Sequence, residues 1–191
     1  ISNACSVFTG SATGAEALFS GEKYQTTIPA ATDTAMISGM RFIRDVSFSF
    51  MSFGYTYCPD ICPTTMSLFA EMHNRIQAQK STKPYQVTFV SVDPERDSLE
   101  RLSEYVTYFD PSFVGATGPE EALQALTKPL GILYRRVETE DSAMGYVMDH
   151  SASIILVDPQ GRFHAYFSPP HDAEKMANDF IAISSLTTIA R

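Results

Sequence analysis

Two cysteines, Cys58 and Cys62, sit four positions apart in the stretch Phe53-Gly54-Tyr55-Thr56-Tyr57-Cys58-Pro59-Asp60-Ile61-Cys62-Pro63. Before them runs an apolar segment, Val46 to Phe53; after them comes a helical pattern. Residues four apart on a helix share a face, so a helix starting at this point lets the two sulfurs converge. The free amide groups of a helix N-terminus carry partial positive charge and lower the pKa of a nearby thiol. Thiolates are the nucleophiles of disulfide exchange and the ligands that soft metals select. The pair is therefore suited to redox chemistry or to metal binding. The flanking Pro59, Asp60 and Pro63 favour an exposed loop over an inert buried pair.

A metal needs further ligands. Structural zinc takes four from Cys and His, and with three cysteines in all the chain has no second pair. Copper(I) accepts three, and thiolates select it. Two thiolates and one neutral imidazole leave a net charge of -1 around Cu(I) and zero around Cu(II), so both oxidation states are tolerated. Four histidines are available. His73 lies on the helix after the motif, about three turns on, too far to share an ion. His164 falls within a late hairpin and His171 near a helix start, where ordinary surface or capping roles suffice. His150 closes Tyr146-Val147-Met148-Asp149-His150, just before a strand, where a loop can reach the end of the sheet. Spacing alone leaves it open between ligand and satisfied loop histidine. Met148 is a soft donor by type but reads as packing.

The elements that position these groups follow from periodicity. Val46–Phe53 reads as a buried strand. Met66, Phe69, Met72 and Ile76 recur at three- and four-residue spacing, giving an amphipathic helix from Pro63 to near Gln79. Gln86–Val92 is a second strand, stopped by Asp93-Pro94. Ser98 caps a helix striped by Leu99, Leu102, Val106 and Phe109. Phe113–Ala116 is a short strand, residues 119–128 a helix with proline in its first turn, and Gly131–Val137 a strand. Glu138 to Asp141 reads as a solvated acidic turn. Ser151–Val157 and Arg162–Phe167 form a hairpin about the turn Asp158-Pro159-Gln160-Gly161. Asp172 caps a final helix over 173–186. This order predicts an α/β fold with a central mixed sheet flanked by helices on both faces. Ligands in such sheets sit at the carboxyl ends of strands, where Cys58 falls.

The chain has 191 residues, 44% of them apolar, enough for one sizeable core. Its formal charge of -8, with no basic run, excludes a phosphate-backbone binder such as a nucleic-acid protein. No apolar run approaches the ~18 residues that span a membrane. Residues 1–20 read as a flexible tail in which Cys5 is a free thiol, and residues 21–191 as one domain, irregular over 21–45 with a small hairpin. Ile1 is not a Met, and Ser2-Asn3-Ala4 resembles the remnant of an expression tag. The expectation is a processed or truncated chain whose signal or membrane anchor lay upstream.

The cysteine stretch resembles the signature of the Sco/SenC proteins, copper chaperones of cytochrome c oxidase assembly. The resemblance continues in Val90-Ser91-Val92-Asp93-Pro94-Glu95-Arg96-Asp97, in Tyr105 to Gly118, in Asp149-His150-Ser151 and in Val157 to Arg162, all in family order across residues 46 to 186. It departs from the family before residue 46. The resemblance implies a thioredoxin-like fold with an added N-terminal segment, and copper, as Cu(I) or Cu(II), held by Cys58, Cys62 and His150. It implies a role in maturing the dinuclear copper (CuA) site of oxidase subunit II, by donating copper, by reducing the receiving cysteines, or by both. In the reductase role Cys58 and Cys62 are the redox pair; the chaperone role is not enzymatic. Another periplasmic copper chaperone or a thiol reductant would be a further partner. The implied location is the bacterial periplasm, tethered to the inner membrane, or alternatively the mitochondrial intermembrane space. Asp60 and Asp149 match family positions beside the site and read as supporting or partner-facing groups.

Overall fold

The computed structural model of the chain describes residues 5–7, 47–79, 83–139 and 145–186. In chain order its elements are β1 (Cys5–Val7), β2 (Phe48–Gly54), α1 (Ile61–Gln77), β3 (Tyr85–Ser91), α2 (Leu99–Phe109), β4 (Val114–Thr117), α3 (Glu120–Thr127), β5 (Tyr134–Glu138), β6 (Tyr146–His150), β7 (Ile154–Val157), β8 (Phe163–Phe167) and α4 (Ala173–Leu186). Six strands form one sheet in the order β1-β4-β3-β2-β7-β8. The first four run parallel; β7 and β8 are antiparallel to their neighbours.

β2 is central because it is apolar on both faces. Side chains alternate along a strand, and Phe48 and Phe50 enter one core while Met51 and Phe53 enter the other. β3 divides likewise, with Val87 and Phe89 on the first face and Val90 on the second. So does β7, with Ile154 and Leu156 against Ile155 and Val157. The first core receives Met66, Phe69, Met72 and Ile76 of α1, Leu102 and Val106 of α2, and Met176 and Phe180 of α4. The second receives Ala122 and Leu123 of α3 and Ile132. The predicted mixed sheet with helices on both faces is the fold observed, three helices on one side and α3 on the other.

Local signals hold at the helix ends. Ser98 accepts a hydrogen bond from the Arg101 amide at 3.2 Å, and Asp172 accepts one from the Lys175 amide at 2.8 Å. No helix among the described residues is long and apolar enough to cross a membrane.

Three expectations change. The tail reading of residues 1–20 does not hold for Cys5–Val7, which form the edge strand beside β4; three residues at an edge carry no periodicity for a sequence to show. Residues 134–138 join no part of the main sheet but pair with β6 in a separate antiparallel ribbon. His150 is not in a loop: it is the last residue of β6, opposite Tyr134. The small hairpin expected over 21–45 and the tip of the acidic turn at Asp141 lie outside the described residues.

Candidate metal centre

The sequence places the two sulfurs by an abrupt change of element. β2 ends at Gly54, a turn carries Tyr55 to Asp60, and α1 begins at Ile61. Cys62 therefore lies in the first turn of α1, 2% exposed in the core above the sheet, whereas Cys58 is half-buried at the turn. Gly54 is required here: a Cβ at this position would stand 2.5 Å from Cys62 Sγ. Both cysteines are free thiols, and the Cys62 amide points at Cys58 Sγ over 3.5 Å.

β6 delivers the third group. His150 Nε2 lies 3.4 Å from Cys62 Sγ, and its Nδ1 faces the Ser151 carbonyl at 3.2 Å, an arrangement that leaves Nε2 for the sulfurs. One donor atom from each of Cys58, Cys62 and His150 lies within 4.8 Å of the others. Metal–thiolate bonds of about 2.3 Å and metal–imidazole bonds of about 2.0 Å put donors in a trigonal plane about 3.7–4.0 Å apart. The three groups fit one soft ion with small adjustments.

The electrostatics of the pair are unequal. The hydrogen bond from Cys62, countered by burial and aided by His150 and the amides of Asp60 and Cys62, pulls the Cys58 thiol down to about 3. The same bond, with burial and the charge on Cys58, pushes Cys62 well above the ordinary thiol range. Cys58 is thus the thiolate and Cys62 the proton holder. Of the two site cysteines, iodoacetamide should mark Cys58 and spare Cys62 in the reduced protein, with a rate at Cys58 nearly independent of pH between 5 and 8. An ordinary thiol, pKa about 8.5, gains about tenfold per pH unit in that range. Peptide mapping with a pH series checks this; a tenfold rise per unit at Cys58 would refute it.

Two networks brace the site. Asp97, 1% exposed, accepts from the Thr56 amide (2.9 Å), the Thr56 hydroxyl (2.6 Å) and the Ser91 hydroxyl (2.6 Å). Arg101 donates in turn to the Thr56 hydroxyl at 2.6 Å. Nearby, Arg96 pairs with Asp93, both nearly sealed from solvent, and Asp93 accepts from the Tyr146 hydroxyl at 2.9 Å.

The other expected residues fall out as follows. His73 bonds the Tyr85 hydroxyl at 2.9 Å and His171 the Ala152 carbonyl at 2.8 Å; neither joins the cluster. His164 is not a plain surface residue: half-buried, it sets its ring edge against Phe48, and that burial lowers its pKa. Met148 packs on both cores. Asp149 is exposed and pairs with Arg135 at 3.1 Å, and Asp60 is exposed at the start of α1. Gly54, Asp97, Arg96 and Tyr146 were not anticipated as parts of the site. The one available signal was the density of charge in Asp93-Pro94-Glu95-Arg96-Asp97 directly after an apolar strand, since charges there must be paired or solvated.

A mixed sheet of this topology, with a reduced cysteine pair at the carboxyl end of β2 and an imidazole against it, defines a thioredoxin-like protein equipped for thiol or soft-metal chemistry. More specifically, the chain belongs to the SCO1/SenC family, whose model matches residues 43–185. It is 33% identical over 128 residues to the human mitochondrial protein SCO2 homolog, covering 67% of this chain and 48% of that one. The chain spans about half the length of the curated mammalian SCO2 homologs it matches. Among solved structures it is similar to Arabidopsis thaliana ScoI with copper bound (TM-score 0.67, 31% identity, 72% of this chain and 83% of that one). It is also similar to yeast Sco1 with copper bound (TM-score 0.69, 26% identity, 78% and 81%).

Proposed function

We propose that this chain is a copper-binding metallochaperone that helps mature the CuA site of cytochrome c oxidase subunit II, with Cys58, Cys62 and His150 holding the copper cargo. The observation that carries this reading is the convergence of two sulfurs and an imidazole from elements some ninety residues apart in sequence. The copper-bound relatives support the choice of ion, and two thiolates favour copper(I) on chemical grounds. Cys58 is the half-exposed thiolate that meets incoming copper; Cys62 gives up its proton as it binds, and His150 completes the set through Nε2. The reading places the protein outside the cytoplasm, in the bacterial periplasm on an inner-membrane tether, or else in the mitochondrial intermembrane space; relatives of both bacterial and mitochondrial origin are consistent with either.

The test is a titration of the reduced protein with copper(I) against a chromophoric chelator. One equivalent should bind per chain, and the disulfide form of Cys58 and Cys62 should bind none. Equal binding by the disulfide form would sink the reading. The same sulfurs could instead reduce the cysteines of subunit II: Cys58 would attack the target disulfide, and Cys62 would release the mixed disulfide, two electrons passing to the target. That role has no use for His150, so the 3.4 Å contact between His150 and Cys62 favours the metal.

A further inference from the structure

The ribbon of β5 and β6 stands outside the six-stranded sheet, yet it carries His150. Something must fix it against the body of the protein, because a donor displaced by an ångström is lost to a metal. Met148 packs on both cores midway along β6, and a cluster of charged and aromatic contacts gathers at its opposite end, at Tyr146, four residues or about 13 Å from His150. The Arg96 guanidinium lies 3.6 Å from the centre of the Tyr146 ring, and that of Arg136 lies 3.7 Å from it. The ring is therefore held between two cations. Arg96 also donates to the Tyr146 carbonyl at 3.2 Å, and its ion-pair partner Asp93 accepts the Tyr146 hydroxyl.

Arg96 faces the cysteine turn as well. Its guanidinium carbon is 5.3 Å from the centre of the Tyr55 ring and 5.4 Å from that of Tyr57, the aromatic residues just before Cys58. Its Nη2 is buried with no oxygen or nitrogen acceptor among the described residues, so those rings are its neighbours instead. Tyr55 in turn meets the His150 imidazole edge-on, ring centres 6.1 Å apart. One side chain thus touches both the turn that carries Cys58 and the strand that carries His150.

We propose that Arg96 is the positioning residue of the site: its guanidinium, clasped by Asp93 and stacked on Tyr146, sets the β5–β6 ribbon so that His150 meets the two sulfurs. A planar guanidinium does this through stacking and forked hydrogen bonds together; an ammonium offers a point charge and neither.

The inference rests on the copper reading, and its test separates the two. Arg96→Lys keeps the charge opposite Asp93. It should lower copper(I) affinity of the reduced protein about 10- to 100-fold, as loss of groups that orient a ligand does. In a His150→Ala background the same change should cost less than about twofold, because no imidazole remains to be positioned. Equal cost in both backgrounds, or no cost in either, overturns the proposal and leaves Arg96 a stability residue. A copper-free measurement runs alongside: the nuclear Overhauser contact between the His150 and Tyr55 rings in the reduced protein should weaken in Arg96→Lys, and its full retention overturns the proposal. If the wild type binds no copper, the functional reading fails while the ring contact still decides the positioning role. Should Arg96→Lys not fold, Tyr146→Leu removes the stacked ring, leaves the Arg96–Asp93 pair in place, and is read in the same two ways.

Discussion

Replacing His150 with alanine is expected to lower the affinity of the reduced protein for copper(I) by more than about 100-fold. Removing a group that only orients a ligand already costs about 10- to 100-fold, and in the proposed site His150, 3.4 Å from Cys62 Sγ, is itself a donor. The fold should barely notice. His150 is half-buried at the end of a peripheral ribbon, and changes at such positions stay within about 1 kcal/mol. Competition with a chelator of known affinity measures the first effect, and urea unfolding of the copper-free protein the second. His171→Ala and Met148→Leu serve as controls and should leave affinity within about threefold. An affinity unchanged in His150→Ala would mean that the two sulfurs hold copper without the imidazole.

Asp97→Ala should be the most destabilising of the substitutions considered, at about 3–5 kcal/mol. The carboxylate is almost fully buried and receives three hydrogen bonds. Bonds to a charged group contribute about 1.5–3 kcal/mol each, and donors left unpaired inside a protein cost about 1–3 kcal/mol each. The figures do not add fully, because the Thr56 hydroxyl can turn and Arg101 still reaches it. For a chain of this length the melting temperature should fall by about 10 °C or more. Urea unfolding with an unchanged slope would assign the loss to the native state; a cost below about 1 kcal/mol would contradict the view that Asp97 holds the cysteine turn. Asp97→Asn tests the charge separately, since its amide nitrogen would confront donors rather than accept from them.

The cysteine pair and its place after a strand could be read directly from the sequence, because Phe48 to Phe53 and the Met66–Ile76 stripe have clear periods. His150 could be listed but not chosen by spacing; the family resemblance selected it among four histidines, and the geometry brings it to the sulfurs. Its strand escaped notice for a physical reason. Tyr146, Val147 and Met148 are three apolar side chains in a row, so β6 shows no alternation, and among the described residues its strand partner is β5. The bracing side chains escaped for another. Asp97 acts on Thr56 across 41 residues of sequence, and Arg96 acts on the Tyr146 carbonyl across 50. No local pattern encodes a contact over such a separation.

Gly54 gives the site an asymmetry of motion. Its bare α-carbon lets the Cys62 sulfur rest against the backbone of β2, in the volume that a side chain would fill. Gly54 is paired with Ser91 of β3, and β2 is joined to β7 as well from three residues further back, so this floor moves with the sheet. Cys62 is therefore the datum of the site. Whatever rearrangement separates the dithiol, disulfide and metal-loaded forms falls to the turn that bears Cys58 and the ribbon that bears His150. The reorganisation cost of changing state is then expected to fall on two peripheral pieces of chain and to spare the heart of the sheet.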